Sequence, residues 1–208
     1  SMTRPNTPAQ AWSALVDGNH RFVEGSPAHP NQDVDRRAAL AGAQIPFAAL
    51  FGCADSRLSA EIIFDVGLGD LFVVRNAGQV IAKSILGSLE YAVEVLQVPL
   101  IIVLGHDDCG AIKATIDSVD GNLVPQGEFI QHIVENIEPT VRAAKANGVQ
   151  DIDEITALHV HDTINDLVSR SKVVREALES GKLAVVGANY KLVLGDIHPL
   201  VMLGQVTQ

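Results

Sequence analysis

The sequence predicts an α/β fold: a mostly parallel central sheet of four parallel strands plus an antiparallel edge strand, flanked by helices. Three observations predict it. Four short apolar runs, 45–52, 70–75, 98–104 and 183–188, are rich in Val, Ile or Leu and bounded by Gly or Pro. They show no polar alternation, as strands buried on both faces do not. Stretches of helical period separate them, and strands alternating with helices wind into a parallel sheet. Finally, the tail "YKLVLGDIHPLVML" turns at Gly195-Asp196 and reads as a last strand running back along the sheet edge.

Taken in order, residues 8–24 carry apolar side chains at Ala11, Trp12, Leu15, Val16 and Phe22, an amphipathic helix capped near Thr7. "GSPAHPNQD" is a Gly/Pro/Asn loop, with a short helix expected over 33–41. Between the second and third strands, Ile81, Ile85, Leu89, Ala92 and Leu96 recur at spacings of three and four, which makes 80–96 a helix. Residues 129–147 and 151–180 read as two further helices, ending at Gly148 and Gly181 as helix C-termini often do. Asp151, Asp153 and Glu154 belong in a first turn, where acids complement the helix dipole.

A chain of 208 residues with 47% hydrophobic content buries one good core, so residues 1–208 are expected to form one domain, with an N-terminal helical arm over about 8–41. The longest apolar stretch, 98–104, is too short to span a bilayer. No apolar leader precedes the first helix, and Ser1 ahead of Met2 reads as a remnant of tag cleavage. The net charge of −10 repels phosphate backbones and anionic lipid, arguing against nucleic acid and membrane as partners. Two cysteines make no disulfide framework. A cytoplasmic setting is expected.

The chemistry gathers at two strand ends. "FGCADSR", residues 51–57, and "VLGHDDCGA", residues 103–111, each place polar residues where a buried strand should stop. Ligands of open α/β sheets collect at that rim. Cys53, His106 and Cys109 are three soft or borderline donors, which suit Zn²⁺ over Mg²⁺ or Ca²⁺. Lone cysteines commonly fill cores as small hydrophobes. These two are instead embedded among Asp, Arg and His, where an apolar filler has no reason to be. Asp55 can itself bind the metal or accept a hydrogen bond from its water. Continued extended backbone beyond Cys53 would put Cys53, Asp55 and Arg57 on one side, with the guanidinium fork of Arg57 holding the carboxylate.

"CADSR", "VVRNAG", "GSLEYAVEVL" and "GHDDCGA", in this order and spacing, resemble the β-class carbonic anhydrases, bacterial ones in particular. The similarity is dense from about Ala9 to Ala114 and looser afterwards. It implies one zinc per chain held by Cys53, His106 and Cys109, with Asp55 and Arg57 as a gating dyad in which Asp55 can also ligate the metal. It further implies an N-terminal helix laid across a neighbouring subunit, homodimers or homotetramers, and the reaction CO₂ + H₂O ⇌ HCO₃⁻ + H⁺ with zinc hydroxide as nucleophile. Two positions depart from the family's pattern: Asp107 stands where Ser or Thr is common, and Leu50 where members with a regulatory bicarbonate pocket carry Trp. That pocket is therefore not expected, although Arg75 matches one of its residues.

Two other functions fit the same residues: hydrolysis of CS₂ or COS on the same scaffold, and a non-catalytic zinc-binding domain. A closed structural site normally has four Cys/His ligands, and here there are three plus a carboxylate tied to an Arg. His159-Val160-His161 resembles a metal clip, but residues two apart on a helix diverge by about 200°. A solvated or core-edge role is expected for it. "GLGDLF" lacks the third glycine of a dinucleotide fingerprint and leads into a strand, so its glycines are read as a turn.

Overall fold

The computed structural model describes residues 4–207; Ser1 and Met2 lie outside them. The apolar runs form β1 (Ala48–Cys53), β2 (Leu71–Asn76), β3 (Leu100–His106) and β4 (Ala184–Tyr190), and the tail forms β5 (Ile197–Leu203). The sheet order is β2-β1-β3-β4-β5, parallel throughout except for the antiparallel β4–β5 pair. Each strand sits one to three residues later than its apolar run. The reason is that ladder pairing, unlike hydropathy, does not stop at the first polar side chain. Cys53 still pairs with Asn76, and His106 with Tyr190. Both residues therefore end their strands rather than follow them.

The helices are α1 (Pro8–Val23), α2 (Val34–Ala39), α3 (Ala60–Ile63), α4 (Lys83–Glu94), α5 (Gly110–Val119), α6 (Glu128–Ala146), α7 (Ile152–Arg170) and α8 (Lys172–Glu179). The stretch 151–180, expected as one helix, is two. Ser171 is extended, and its hydroxyl accepts the Val174 N–H that opens α8 while donating to Glu90. A serine competes with the helix for its own backbone in this way, and the apolar period does not register it. Neither α3 nor α5 was legible as a helix. Thr7 caps α1 as expected, and Asp33 caps α2; Asp151, expected in a first turn with Asp153 and Glu154, is instead the N-cap of α7, and each of these three accepts a first-turn N–H.

Alternate residues of β3 feed two cores. Leu100, Ile102 and Leu104 face a cluster with Ala11 and Leu15 of α1, Ile63 of α3 and Phe64 just after it; Ile101 and Val103 face one with Ile85, Leu89, Ile164 and Leu167 of α4 and α7. A third, smaller cluster of Val80, Ile112, Ile137, Val141 and Ile155 lies under the carboxyl rim and includes Cys53 and Cys109. The arm is fastened to its own chain. A Cβ at Gly18 would overlap the Phe64 carbonyl, so only glycine lets α1 approach so closely. Arg21 Nε reaches Asp65 Oδ2 at 2.6 Å, and that carboxylate also accepts the N–H groups of Ala28 and His29. "GLGDLF" does form a turn, with Gly67 N–H bonded to Asp70 Oδ2 and Asp70 N–H to the Gly67 carbonyl.

Candidate metal centre

β1 and β3 are parallel neighbours with Gly52 opposite Leu104, so their last residues, Cys53 and His106, emerge side by side on one rim. After His106 the chain reverses at Asp108, whose φ of 53° is left-handed, and Cys109 returns as the N-cap of α5. Sequence spacing alone does not place His106 and Cys109 on one point; this reversal does. The sulfurs of Cys53 and Cys109 and a ring nitrogen of His106 lie within 4.8 Å of one another, all three residues being buried. Both cysteines are free thiols.

The donor set fits a soft or borderline dication. His106 Nδ1 lies 2.7 Å from the Asp107 carbonyl, which can only accept, so Nδ1 carries the hydrogen and Nε2 keeps a free lone pair. Nε2 is fully buried and has no hydrogen-bond partner. Leaving such a group unpaired costs about 1–3 kcal/mol, and coordination to a metal ion would satisfy it. A backbone carbonyl on the other ring nitrogen is also how ligating histidines are commonly oriented.

Without a metal the two thiols titrate as a pair. The hydrogen bond from Cys109, with smaller help from His106 and the N–H groups of Gly78 and Asp55, brings Cys53 down to about 4 against the opposing effect of burial. Cys109, which donates that bond and is itself buried, is pushed well above its ordinary value. Burial pushes His106 down, but the adjacent Cys53 sulfur, the Asp107 carbonyl and the nearby negative charges leave it net raised.

The backbone does not stay extended beyond Cys53, contrary to expectation. It turns, with Leu58 N–H bonded to the Asp55 carbonyl. Asp55 and Arg57 meet because Asp55 Oδ1 accepts both the Arg57 N–H (2.8 Å) and Arg57 Nε (2.9 Å), while Oδ2 takes the terminal amino group at 2.6 Å. Aspartate caps its own turn in this manner. Arg57 first, with its backbone N–H and the raised His106 adding to it, holds the Asp55 carboxyl down at about 2. Asp55 Oδ2 stands 3.8 Å from His106 Nε2, beside the metal position. Arg57 also reaches across to the β3 exit, bonding Asp108 Oδ2 at 3.2 Å and its carbonyl at 3.1 Å.

Three residues that sequence reasoning did not assign support this frame. Arg75 donates to the carbonyls of Cys53, Asp55 and Leu58 at 2.7–2.9 Å, and so spends its guanidinium on the loop. Between it and Leu50 only about 10 Å³ is open, no more than a single water takes up. Gly78 donates its N–H to Cys53 Sγ at 3.3 Å. Asp108 anchors Arg57. The only signal for Gly78 and Asp108 lay in their backbones, both at positive φ, which for Asp108 no sequence pattern announces. Asp107 turns its carboxylate to the N–H of Leu192, just past β4. His159 is not at the surface: it is buried on α7 and bonded to the Gly78 carbonyl, while His161 faces solvent.

On this α/β fold, Cys53, His106 and Cys109 form a cluster compatible with a metal ion at the carboxyl rim of the parallel part of the sheet, with the tethered Asp55 carboxylate beside it. A profile described as "Carbonic anhydrase" matches residues 48–197. The carbonic anhydrase of Mycolicibacterium smegmatis is 50% identical over 203 residues, covering 97% of this chain and 98% of that protein. Carbonic anhydrase 2 of Mycobacterium tuberculosis is 52% identical over 189 residues, covering 90% and 91%. Among solved structures, a tetrameric β-carbonic anhydrase of the filamentous ascomycete Sordaria macrospora superposes with a TM-score of 0.71 at 25% identity, over 79% of this chain and 85% of that one. This chain belongs to the β-class carbonic anhydrase family.

Proposed function

We propose that this chain hydrates CO₂ reversibly to bicarbonate and a proton, with one Zn²⁺ held by Cys53, His106 and Cys109. The observation that carries the reading is the convergence of those three donors, with Asp55 Oδ2 pinned 3.8 Å from His106 Nε2. When bound, Zn²⁺ supplies Lewis-acid activation of a water, and two thiolates, by neutralising the dication, keep that activation on the alkaline side of neutrality.

The remaining roles belong to side chains. Arg57 stays cationic at every working pH and keeps Asp55 ionised and turned toward itself. Asp55 Oδ1 is saturated by two Arg57 donors, whereas Oδ2 accepts one and keeps a lone pair free for a proton-bearing oxygen at the site. Asp55 thereby orients the attacking oxygen. Without Arg57, the same carboxylate is free to ligate the metal and close the site. CO₂ is small and uncharged, so it needs no basic cleft. A cavity of about 660 Å³ lies at the opposite, amino end of the sheet near Val98 and Leu183.

Activity should be low at or below about pH 7 and rise through roughly pH 8. Stopped-flow CO₂ hydration with a pH indicator tests the assignment. Zinc-loaded protein that leaves CO₂ untouched but turns over CS₂ or COS would replace it with the hydrolase, and turnover of none of them would leave a non-catalytic zinc domain. The functional unit is proposed to be a homodimer or homotetramer. Light scattering that finds a 22.1 kDa monomer at micromolar concentration would remove this part.

A further inference from the structure

His159 is a buried imidazole that the chemistry above does not use. Only 5% of it is exposed, and its Nε2 lies 2.7 Å from the Gly78 carbonyl. A carbonyl only accepts, so Nε2 carries the hydrogen. Burial pushes the pKa of this imidazole down, in keeping with a neutral ring. The bond is made to a particular peptide. Gly78 and Gln79 are consecutive left-handed residues, with φ of 81° and 39°, and the carbonyl that His159 holds lies between them. For glutamine that conformation is strained, and it persists only where its surroundings enforce it.

The surroundings enforce it from three sides. Asn76 brackets the turn, donating from Nδ2 to the Val80 carbonyl and accepting the Val80 N–H on Oδ1, both at 2.9 Å. Ala111 and Ile137 wall it off so closely that a Cβ at Gly78 would come to 2.7 Å and 3.1 Å of them. His159 supplies the remaining tether. At the other end of the same residue, the Gly78 N–H points at Cys53 Sγ, 3.3 Å away.

From this chain of contacts we infer that His159 is a positioning residue for the Cys53 thiolate, acting through the Gly78 turn. The inference rests on the zinc reading proposed above. An N–H bond draws charge from a thiolate and makes it a weaker donor, which leaves the bound ion a stronger Lewis acid. Outer partners of this kind are worth about 10–100-fold in metal affinity or activity. Without the His159 bond, the left-handed pair relaxes and the Gly78 N–H swings off the sulfur.

The test compares cobalt-substituted wild type with His159→Leu, His159→Asn and His159→Gln. A glutamine amide nitrogen reaches the place of the imidazole Nε2, whereas that of asparagine stops a methylene short. The thiolate-to-cobalt charge-transfer band should move to longer wavelength in the Leu and Asn variants and stay near the wild-type position in Gln. In the zinc forms, hydration should fall about 10-fold for Leu and Asn, with recovery in Gln. If His159→Leu does not fold, the Asn and Gln pair carries the same contrast. The same band in all four proteins, with wild type taking up cobalt and hydrating CO₂, overturns this inference alone. A wild type that takes up no cobalt overturns the zinc reading and this inference together.

Discussion

The two strand exits that build the site are held by different means. At the β3 exit, backbone does the holding: Asp107 N–H bonds the Tyr190 carbonyl of β4, Asp108 reverses the chain, and Cys109 caps a ten-residue helix. That exit delivers two of the three donors. At the β1 exit, two guanidinium groups and one glycine N–H add to the backbone bonds. Arg75 staples three carbonyls, Arg57 clamps Asp55, and Gly78 faces Cys53. This exit delivers one donor and the acid. Donors sit on elements whose geometry is costly to change, whereas Asp55 sits on a turn whose tethers are individual guanidinium bonds and so can be tuned without dismantling the metal site.

The strongest challenge to that comparison is removal of a donor. Cys53→Ala, His106→Ala and Cys109→Ala should each lose most of the zinc, whichever exit they come from, and zinc affinity should weaken in acid because the thiolates must be deprotonated. Full zinc by elemental analysis in any one of them would break the donor assignment.

Next in size is Arg57→Ala. It should keep its zinc and lose about 100-fold or more in CO₂ hydration at every pH, the order of effect of a misplaced acid–base group. The same variant should release the Asp55 carboxyl from about 2 toward its ordinary range. Because the folded value lies below the unfolded one of about 3.9, the stabilisation from Asp55 is complete above that pH and is lost as pH falls toward 2. Carboxyl NMR titration of wild type and variant reads this directly. A wild-type value near 4 would show that Arg57 does not hold Asp55.

Arg75→Met asks whether the β1 exit depends on its staple. It strips donors from the Cys53, Asp55 and Leu58 carbonyls, so denaturant unfolding should show a loss of about 1–3 kcal/mol. An unchanged midpoint would mean that the turn holds itself.

Asp108→Asn should do least. Its side chain is 72% exposed, its ion pair with Arg57 is worth at most about 1 kcal/mol, and its backbone carbonyl still accepts from Arg57. A reduction in hydration of no more than about five-fold is expected. A loss as large as that of Arg57→Ala would move the clamp from Asp55 to Asp108.

Much of this was already present in the sequence, because it rests on local pattern. Unbroken apolar runs determined which segments are strands, since only a sheet covered on both faces has use for them. Spacings of three and four determined α4, and Thr7 marked the start of α1 because its oxygen reaches a first-turn N–H. Cys53, His106 and Cys109 were legible as candidate donors by their chemistry alone, and the fold brings them together. What only the tertiary structure decided involves backbone direction and neighbours distant in the chain. The Asx turn that brings Arg57 to Asp55, the break at Ser171, and the left-handed residues Gly78, Gln79 and Asp108 leave no trace in hydropathy. His159 read as a surface or core-edge residue because helical period places a residue on a face without saying what covers that face. α7 lies against the turn that follows β2, and this contact, joining residues 81 apart, is what turned the histidine inward to Gly78.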